Sequence, residues 1–158
     1  MTIDHTPAHL TYHGSGWAAA MAACCAAAQR TIHISALSLL PPTQNAAGHW
    51  PELWRAWCAA ARRGVAVHIW LPAPMTNAPA TRGNFGAGRA ITEAGMHVHY
   101  VIGNQLLHAK QTVVDEIIIW IGSGNFTSAA AHFNHEAYLS ANCPHIGAQI
   151  VARLKTLA

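Results

Sequence analysis

The chain has 158 residues, 52% of them apolar and only 9% Asp, Glu, Lys or Arg, with a formal net charge of +3. Ordinary globular domains carry roughly 25% charged residues, so this composition excludes a disordered segment, a basic nucleic-acid arm and an acidic tail. The length suits a single domain over residues 1–158, with a core from about residue 10 to 158. The longest apolar run, Ala18 to Ala28, falls well short of the ~20 residues a membrane-spanning helix needs. Met1-Thr2-Ile3-Asp4-His5 has neither the basic nor the apolar part of a secretory signal, which makes a cytoplasmic location the expectation. Cys24, Cys25, Cys58 and Cys143 form no CxxC spacing and read as buried or half-buried thiols.

Helical and strand patterns alternate along the chain. Gly16 to Arg30 is Ala-rich and ends on a positive charge, as a helix should. Thr31 to Leu39 alternates apolar and polar residues and predicts a strand. A loop at Pro41–Gly48 leads into a helix over Pro51–Arg63, stopped by Gly64. Trp50, Leu53, Trp54, Trp57 and Ala61 line one face of it, a stripe that fits core or a subunit interface better than a ligand platform. Val65 to Leu71 is an apolar strand of the doubly buried kind. Pro72–Gly88 predicts a long loop running into a short helix that ends near Gly95, and Met96–Ile102 a further strand. Leu107–Asp115 and Ile117–Ile121 predict a hairpin turning at Asp115-Glu116. Ser128–His132 reads as a helical turn, Glu136–Ser140 as a strand and Ile146–Leu157 as a closing helix. The fold class is α/β, a mixed sheet layered between helices.

Charged groups are so few that their placement carries information. The chain has two lysines and two aspartates, and one of each falls in His108-Ala109-Lys110-Gln111-Thr112-Val113-Val114-Asp115. On a strand, His108 and Lys110 would share a face about 7 Å apart, offering a nucleophile or proton carrier beside a fixed cation. Asp115 falls an odd number of residues away, so alternation points it to the other face in a structural role. Gly122-Ser123-Gly124-Asn125-Phe126-Thr127 follows, two glycines letting backbone approach an anion while Ser123 and Asn125 supply neutral donors. Asn134-His135-Glu136 brings a carboxylate toward the same end of the sheet. Either half alone is an ordinary polar hairpin.

His108-x-Lys110-x4-Asp115-x6-Gly122-Ser123-x-Asn125 resembles the HxKx4D, GSxN signature of the phospholipase D superfamily. The pattern is most similar to that of the superfamily's small bacterial single-motif endonucleases, which share the Gly-Ser-x-Asn-Phe-Thr run and the downstream Asn-x-Glu. The resemblance implies a half-domain carrying one of two motif copies, and hence a homodimer with one active site at its two-fold axis. It places His108, Lys110, Asp115 and Glu136 in the catalytic set, with one His108 attacking phosphorus and the other handling the leaving-group proton. Lys110, Ser123 and Asn125 would hold the phosphate oxygens, and Glu136 would orient the catalytic histidine. It implies no cofactor and no metal ion.

The expected substrate is nucleic acid, with phospholipid or another small diester as the alternative, and a non-catalytic dimeric anion-binding scaffold as the reading from another class. Seven arginines and two lysines are scattered, which argues against strong duplex binding. Arg82 and Arg89, in and beside the Pro/Gly-rich loop, are candidates for phosphate contacts or simply solvated. Among the 12 histidines, His33 and His68 fit near-core positions, His135 could tune the site, and His97, His99, His132 and His135 offer only a weak zinc reading without carboxylate or thiol support.

Overall fold

Seven strands form one mixed sheet in the order β1-β7-β6-β5-β2-β3-β4. The computed structural model describes residues 9–43, 46, 48–75 and 77–157, so parts of the loops expected at 41–48 and 72–88 lie outside it. The strands are β1 (Leu10–His13), β2 (Thr31–Ser35), β3 (Ala66–Pro72), β4 (His97–Val101), β5 (Lys110–Val114), β6 (Ile118–Gly122) and β7 (Tyr138–Asn142). β2, β3 and β4 run parallel. β5 joins β2 antiparallel, and β6, β7 and β1 continue antiparallel from it. The helices are α1 (Trp17–Ala26), α2 (His49–Arg62), α3 (Asn84–Glu93), α4 (Ser128–His132) and α5 (Pro144–Lys155). The expected α/β class and the mixed sheet between helices hold.

One sheet face carries Ile32, Ile34, Val67, Ile69 and Leu71 into the main core, where α1–α4 supply Trp17, Met21, Trp50, Trp57, Ile91 and Ala130. The tryptophan stripe of α2 is therefore core. On the other face α5 alone covers the middle of the sheet, with Val151 against Val113 and Ile119, and Leu154 against Trp70 and Leu107. Gly147 permits that approach, because a Cβ there would lie 2.5 Å from the Glu116 carbonyl oxygen. Leu10, Tyr12, Ile121 and Leu139 stay exposed on the uncovered strands.

Several boundaries depart from the sequence expectations, each for a local reason. α1 stops at Ala26 rather than Arg30 because the amides of Gln29, Arg30 and Thr31 bond the Asp115 carboxylate. β2 stops at Ser35 rather than Leu39 because Ser38 and Leu40 pair with the 125–126 backbone and side chains instead. The helix expected late in the Pro/Gly-rich segment begins at Asn84 after a 3₁₀ turn at Pro79–Thr81, with Gly86 and Gly88 inside it. Gly88 makes room for the Tyr100 hydroxyl, 1.9 Å from where a Cβ would sit. β5 begins at Lys110, not Leu107, and β7 at Tyr138, not Glu136, so His108 and Glu136 both sit just before their strands. β1 was not expected: four residues at a sheet edge give too short an alternation to stand out.

The Asp115-Glu116 turn is as expected, with φ of 54° and 60° in the left-handed region. The four cysteines are free, Cys25 buried and the others half-buried, and burial raises the thiol pKa of Cys24, Cys25 and Cys58.

Candidate active site

The parallel strands β2, β3 and β4 end where β5 and β7 begin and β6 ends, and that edge of the sheet collects the motif. Open α/β sheets place their ligand sites at the carboxyl ends of the parallel strands. The chain leaves edge strand β4, crosses the ends of β3 and β2 through residues 102–109, and enters β5 at Lys110. His108 rides on this crossing segment and is exposed, while Leu107 before it is buried against Trp70 and Leu154.

Lys110 is 6% exposed. Its Nζ donates to the His108 carbonyl at 2.7 Å and lies 3.1 Å from Nδ1 and 3.3 Å from Nε2 of the same imidazole. The expected pairing on a strand face becomes a tighter one, with the ammonium folded back onto the ring. Burial lowers the lysine's pKa from its usual value, and the carboxylate of Glu136 works in the opposite direction. A cation held dry beside a nucleophile is suited to a developing phosphoryl charge.

Lys110 faces Gly122 across the β5–β6 ladder. A Cβ on Gly122 would fall 2.4 Å from the Tyr138 ring and 2.5 Å from the Ala137 carbonyl oxygen. This glycine admits the neighbouring strand, whereas the sequence suggested an approach to an anion. Ser123 Oγ donates to Glu136 Oε2 and accepts from the Ala137 amide at 3.2 Å. Asn134 Nδ2 donates to the other carboxylate oxygen of Glu136 at 3.1 Å. Glu136 thus bonds Ser123 and Asn134, and within one chain these replace the contact to His108 that the resemblance implied. Asn125 Oδ1 accepts from the Ser38 amide at 3.3 Å, leaving its NH₂ as a donor.

The segment is anchored from below. Phe126 is fully buried, with its ring 5.0 Å from that of Trp57 and 6.0 Å from that of Trp50. Tyr138 stacks on Trp17 at 4.5 Å and donates its hydroxyl to the Gly124 carbonyl. Thr127 caps α4 by accepting from the Ala130 amide at 3.2 Å.

His108, Lys110, Ser123, Asn125 and Glu136 share this edge. Asp115 does not, because it closes the hairpin at the other end of β5. There Oδ1 accepts from Arg30 and Thr31 amides at 2.7 and 2.9 Å, and Oδ2 from Gln29 at 2.9 Å. Burial alone would raise its pKa, but those three amides and the Arg30 guanidinium outweigh burial and hold it below the usual value. The resemblance put Asp115 in the catalytic set; the structure places it at the far end of β5, bound to the α1–β2 connection.

Arg89 pairs with Glu93 at 2.9 Å on the outer side of α3, and Arg82 is exposed. Among the described residues, no group of three or more His, Cys, Asp or Glu side chains is arranged to hold a metal ion.

Sequence reasoning missed Asn84, which carries no motif. It is fully buried, donates to the Leu37 and Pro72 carbonyls at 3.0 and 2.8 Å, and accepts from the Leu39 amide at 3.4 Å. It ties together the ends of β2 and β3 beneath the site. Also missed was a cavity beside His108 to which Gln105, Gln111 and Arg153 contribute.

A family model described as "Cardiolipin synthase, PLD-like domain" matches residues 21–157. The chain belongs to the phospholipase D-like family. Its fold is similar to that of Nuc from Salmonella typhimurium, a phospholipase D family member, at 21% identity with a TM-score of 0.76, covering 96% of this chain and 94% of that one. NucT from Helicobacter pylori is similar at 14% identity and TM-score 0.70, covering 96% of each chain. Phosphatidylserine synthase from Haemophilus influenzae matches at 14% identity and TM-score 0.69, with 99% of this chain against 40% of that one. No curated protein matches the sequence. The phospholipase D-like fold accounts for the edge on which His108 and Lys110 meet.

Proposed function

We propose that this phospholipase D-like chain is a phosphodiesterase that hydrolyses nucleic-acid phosphodiester bonds through a covalent phosphohistidine, with the site completed by a second copy. The observation that carries the reading is the buried Lys110 ammonium folded against His108, with Ser123, Asn125 and Glu136 on the same sheet edge. In the first step an imidazole nitrogen of one His108 bonds phosphorus as the P–O bond to the leaving group breaks. The partner subunit's His108 delivers the proton to that oxygen. In the second step water attacks phosphorus, the partner subunit's His108 takes its proton, and the N–P bond breaks to release a phosphomonoester. Lys110 from both chains, with Ser123 and Asn125, would stabilise the charge that builds on the nonbridging oxygens.

Nucleic acid is favoured by the motif's likeness to single-motif endonucleases and by full-length correspondence with Nuc and NucT. A phospholipid is the second reading, on the description of the family model and the match to phosphatidylserine synthase.

Hydrolysis of bis(p-nitrophenyl) phosphate in excess EDTA, with His108→Ala in parallel, tests the chemistry. Activity that survives the chelator and disappears in the variant is the expected result. Activity abolished by EDTA, or retained by His108→Ala, would overturn the mechanism.

A further inference from the structure

A cavity of about 310 Å³ opens against His108 on the α5 side of the sheet. Its walls are Leu106, Leu154 and Leu157, and Gln105, Gln111 and Arg153 contribute the polar groups. The size falls at the lower end of the ~300–1,000 Å³ typical of small-molecule sites. Two stretches of chain build it: the one from the end of β4 through the crossing loop to Gln111, and the last turn of α5 with Leu157 just beyond it. The Ser35 hydroxyl lies 3.4 Å from Gln111 Oε1, which leaves the amide NH₂ as a donor. Arg153 is exposed at the mouth, where its Nη1 donates to Thr156 Oγ1 at 3.2 Å.

His108 lines this cavity, so one substituent of a diester attacked by His108 has the cavity within reach. An acyl chain there would strip water from the half-buried Gln111 carboxamide while offering it no partner. A nucleobase answers both parts of the lining. Its faces suit the leucine walls, its edge pairs with carboxamides, and the next phosphate along the strand suits an arginine fork.

We propose that this cavity is a subsite for the nucleobase flanking the scissile phosphate, with Arg153 binding the adjacent phosphate. The inference rests on the nuclease reading above and deepens it. A base seated in a pocket is out of its stack, which costs least in a single strand, so a single-stranded substrate is preferred. That preference agrees with the scarcity of basic side chains on the chain.

The test compares kcat/KM for a single-stranded oligonucleotide, the same strand annealed to its complement, the same strand with one abasic position flanking the cleaved bond, and methyl p-nitrophenyl phosphate. In the wild-type protein the abasic strand is expected to fall at least fivefold below the intact strand, and the duplex at least tenfold below it. Leu157→Trp, which fills the cavity from the chain's end, should bring intact and abasic strands to within twofold of each other. Arg153→Ala should lower the ratio of oligonucleotide to methyl p-nitrophenyl phosphate activity at least tenfold, mainly through KM.

Equal cleavage of intact and abasic strands, or an unchanged ratio in Arg153→Ala, overturns the subsite and leaves the nuclease reading standing. Arg153→Ala that converts a dimer to monomers overturns it too, since the cavity would then be part of the interface. Wild-type protein that hydrolyses methyl p-nitrophenyl phosphate and phosphatidylglycerol vesicles but no oligonucleotide overturns both readings.

Discussion

Lys110 concentrates the competing demands on this site. A buried ammonium costs several kcal/mol of desolvation that its partners only partly return; here those partners are one carbonyl, one imidazole and the field of Glu136. Replacing it with an apolar side chain of similar length relieves that cost while removing the cation. Lys110→Met is therefore expected to lower kcat for bis(p-nitrophenyl) phosphate by about 10²–10³-fold, with a Tm equal to or above that of the wild type. A fall in both would show that the lysine holds the fold together instead. Lys110→Arg should not restore activity, because the planar guanidinium cannot occupy the space of a compact ammonium folded onto an imidazole. At this scale the sequence was most informative. The scarcity of charges drew attention to His108 and Lys110, and the likeness to the phospholipase D signature joined Ser123, Asn125 and Glu136 to them, because the residue types and their order can be read without knowing what each one touches.

Between elements, the contacts come from residues that no spacing rule marks. Asp115 was visible in the motif, yet its work is to gather three amides from the α1–β2 connection onto the β5–β6 turn. Removing this half-buried carboxylate takes a charged acceptor from three amides, so Asp115→Ala should cost about 1–3 kcal/mol in urea unfolding, with the rate of diester hydrolysis per folded molecule much less affected than in Lys110→Met. A variant as stable as the wild type but inactive would return Asp115 to the catalytic set. Asn84, Gly88 and Gly147 were illegible for the same reason: what each one does depends on a strand or helix far away in the sequence. Element types were legible from periodicity, and α4 was placed to the residue. The ends of α1 and β2 were not, since tertiary partners claim the backbone groups that a continuing helix or strand would have used.

Over the whole molecule, the sheet face beside α5 carries a row of imidazoles. His33, His68 and His97 face one another across β2, β3 and β4, with stacked rings 5.3 and 4.8 Å apart. His99 stacks on Trp70 at 4.4 Å, and its Nε2 lies 3.0 Å from His68 Nδ1. Burial, with Lys155 and the neighbouring histidines adding to it, lowers His33 and His68 from 6.5 to about 4. The unfolded chain therefore binds more protons than the folded one between roughly pH 6.5 and pH 4, and stability is lost as the pH falls through that window. The Tm should decline across it, and less steeply in His68→Phe, which keeps the ring stack without the titration. An unchanged slope would show that this row does not set the acid limit. The proposed dimer makes its own prediction at this scale. In co-expressed mixtures of wild type and His108→Ala, activity per wild-type chain should fall as the variant's share rises, because mixed dimers lack one histidine. Constant activity per wild-type chain would mean that each chain works alone.

The strand order has a consequence for how the chain folds. β2-β3-β4 is built from segments that follow one another through helical crossovers, and β5-β6-β7 from segments that follow one another directly, so each set can form with closures shorter than the one that joins them. Within the sheet the two sets join along the β2–β5 ladder, whose partners Ile32 and Val114 are far apart in sequence, and β1 reaches β7 over a still longer stretch; closing these distances is the slow, entropically costly part of folding. The contacts of Ser38 with Asn125 and Phe126 lie across this join, as does the clamp between Asp115 and the α1–β2 connection. Hydrolytic competence should therefore return last during refolding, after secondary structure has recovered. A chain divided in the 102–105 turn should regain competence only when its two pieces bind each other.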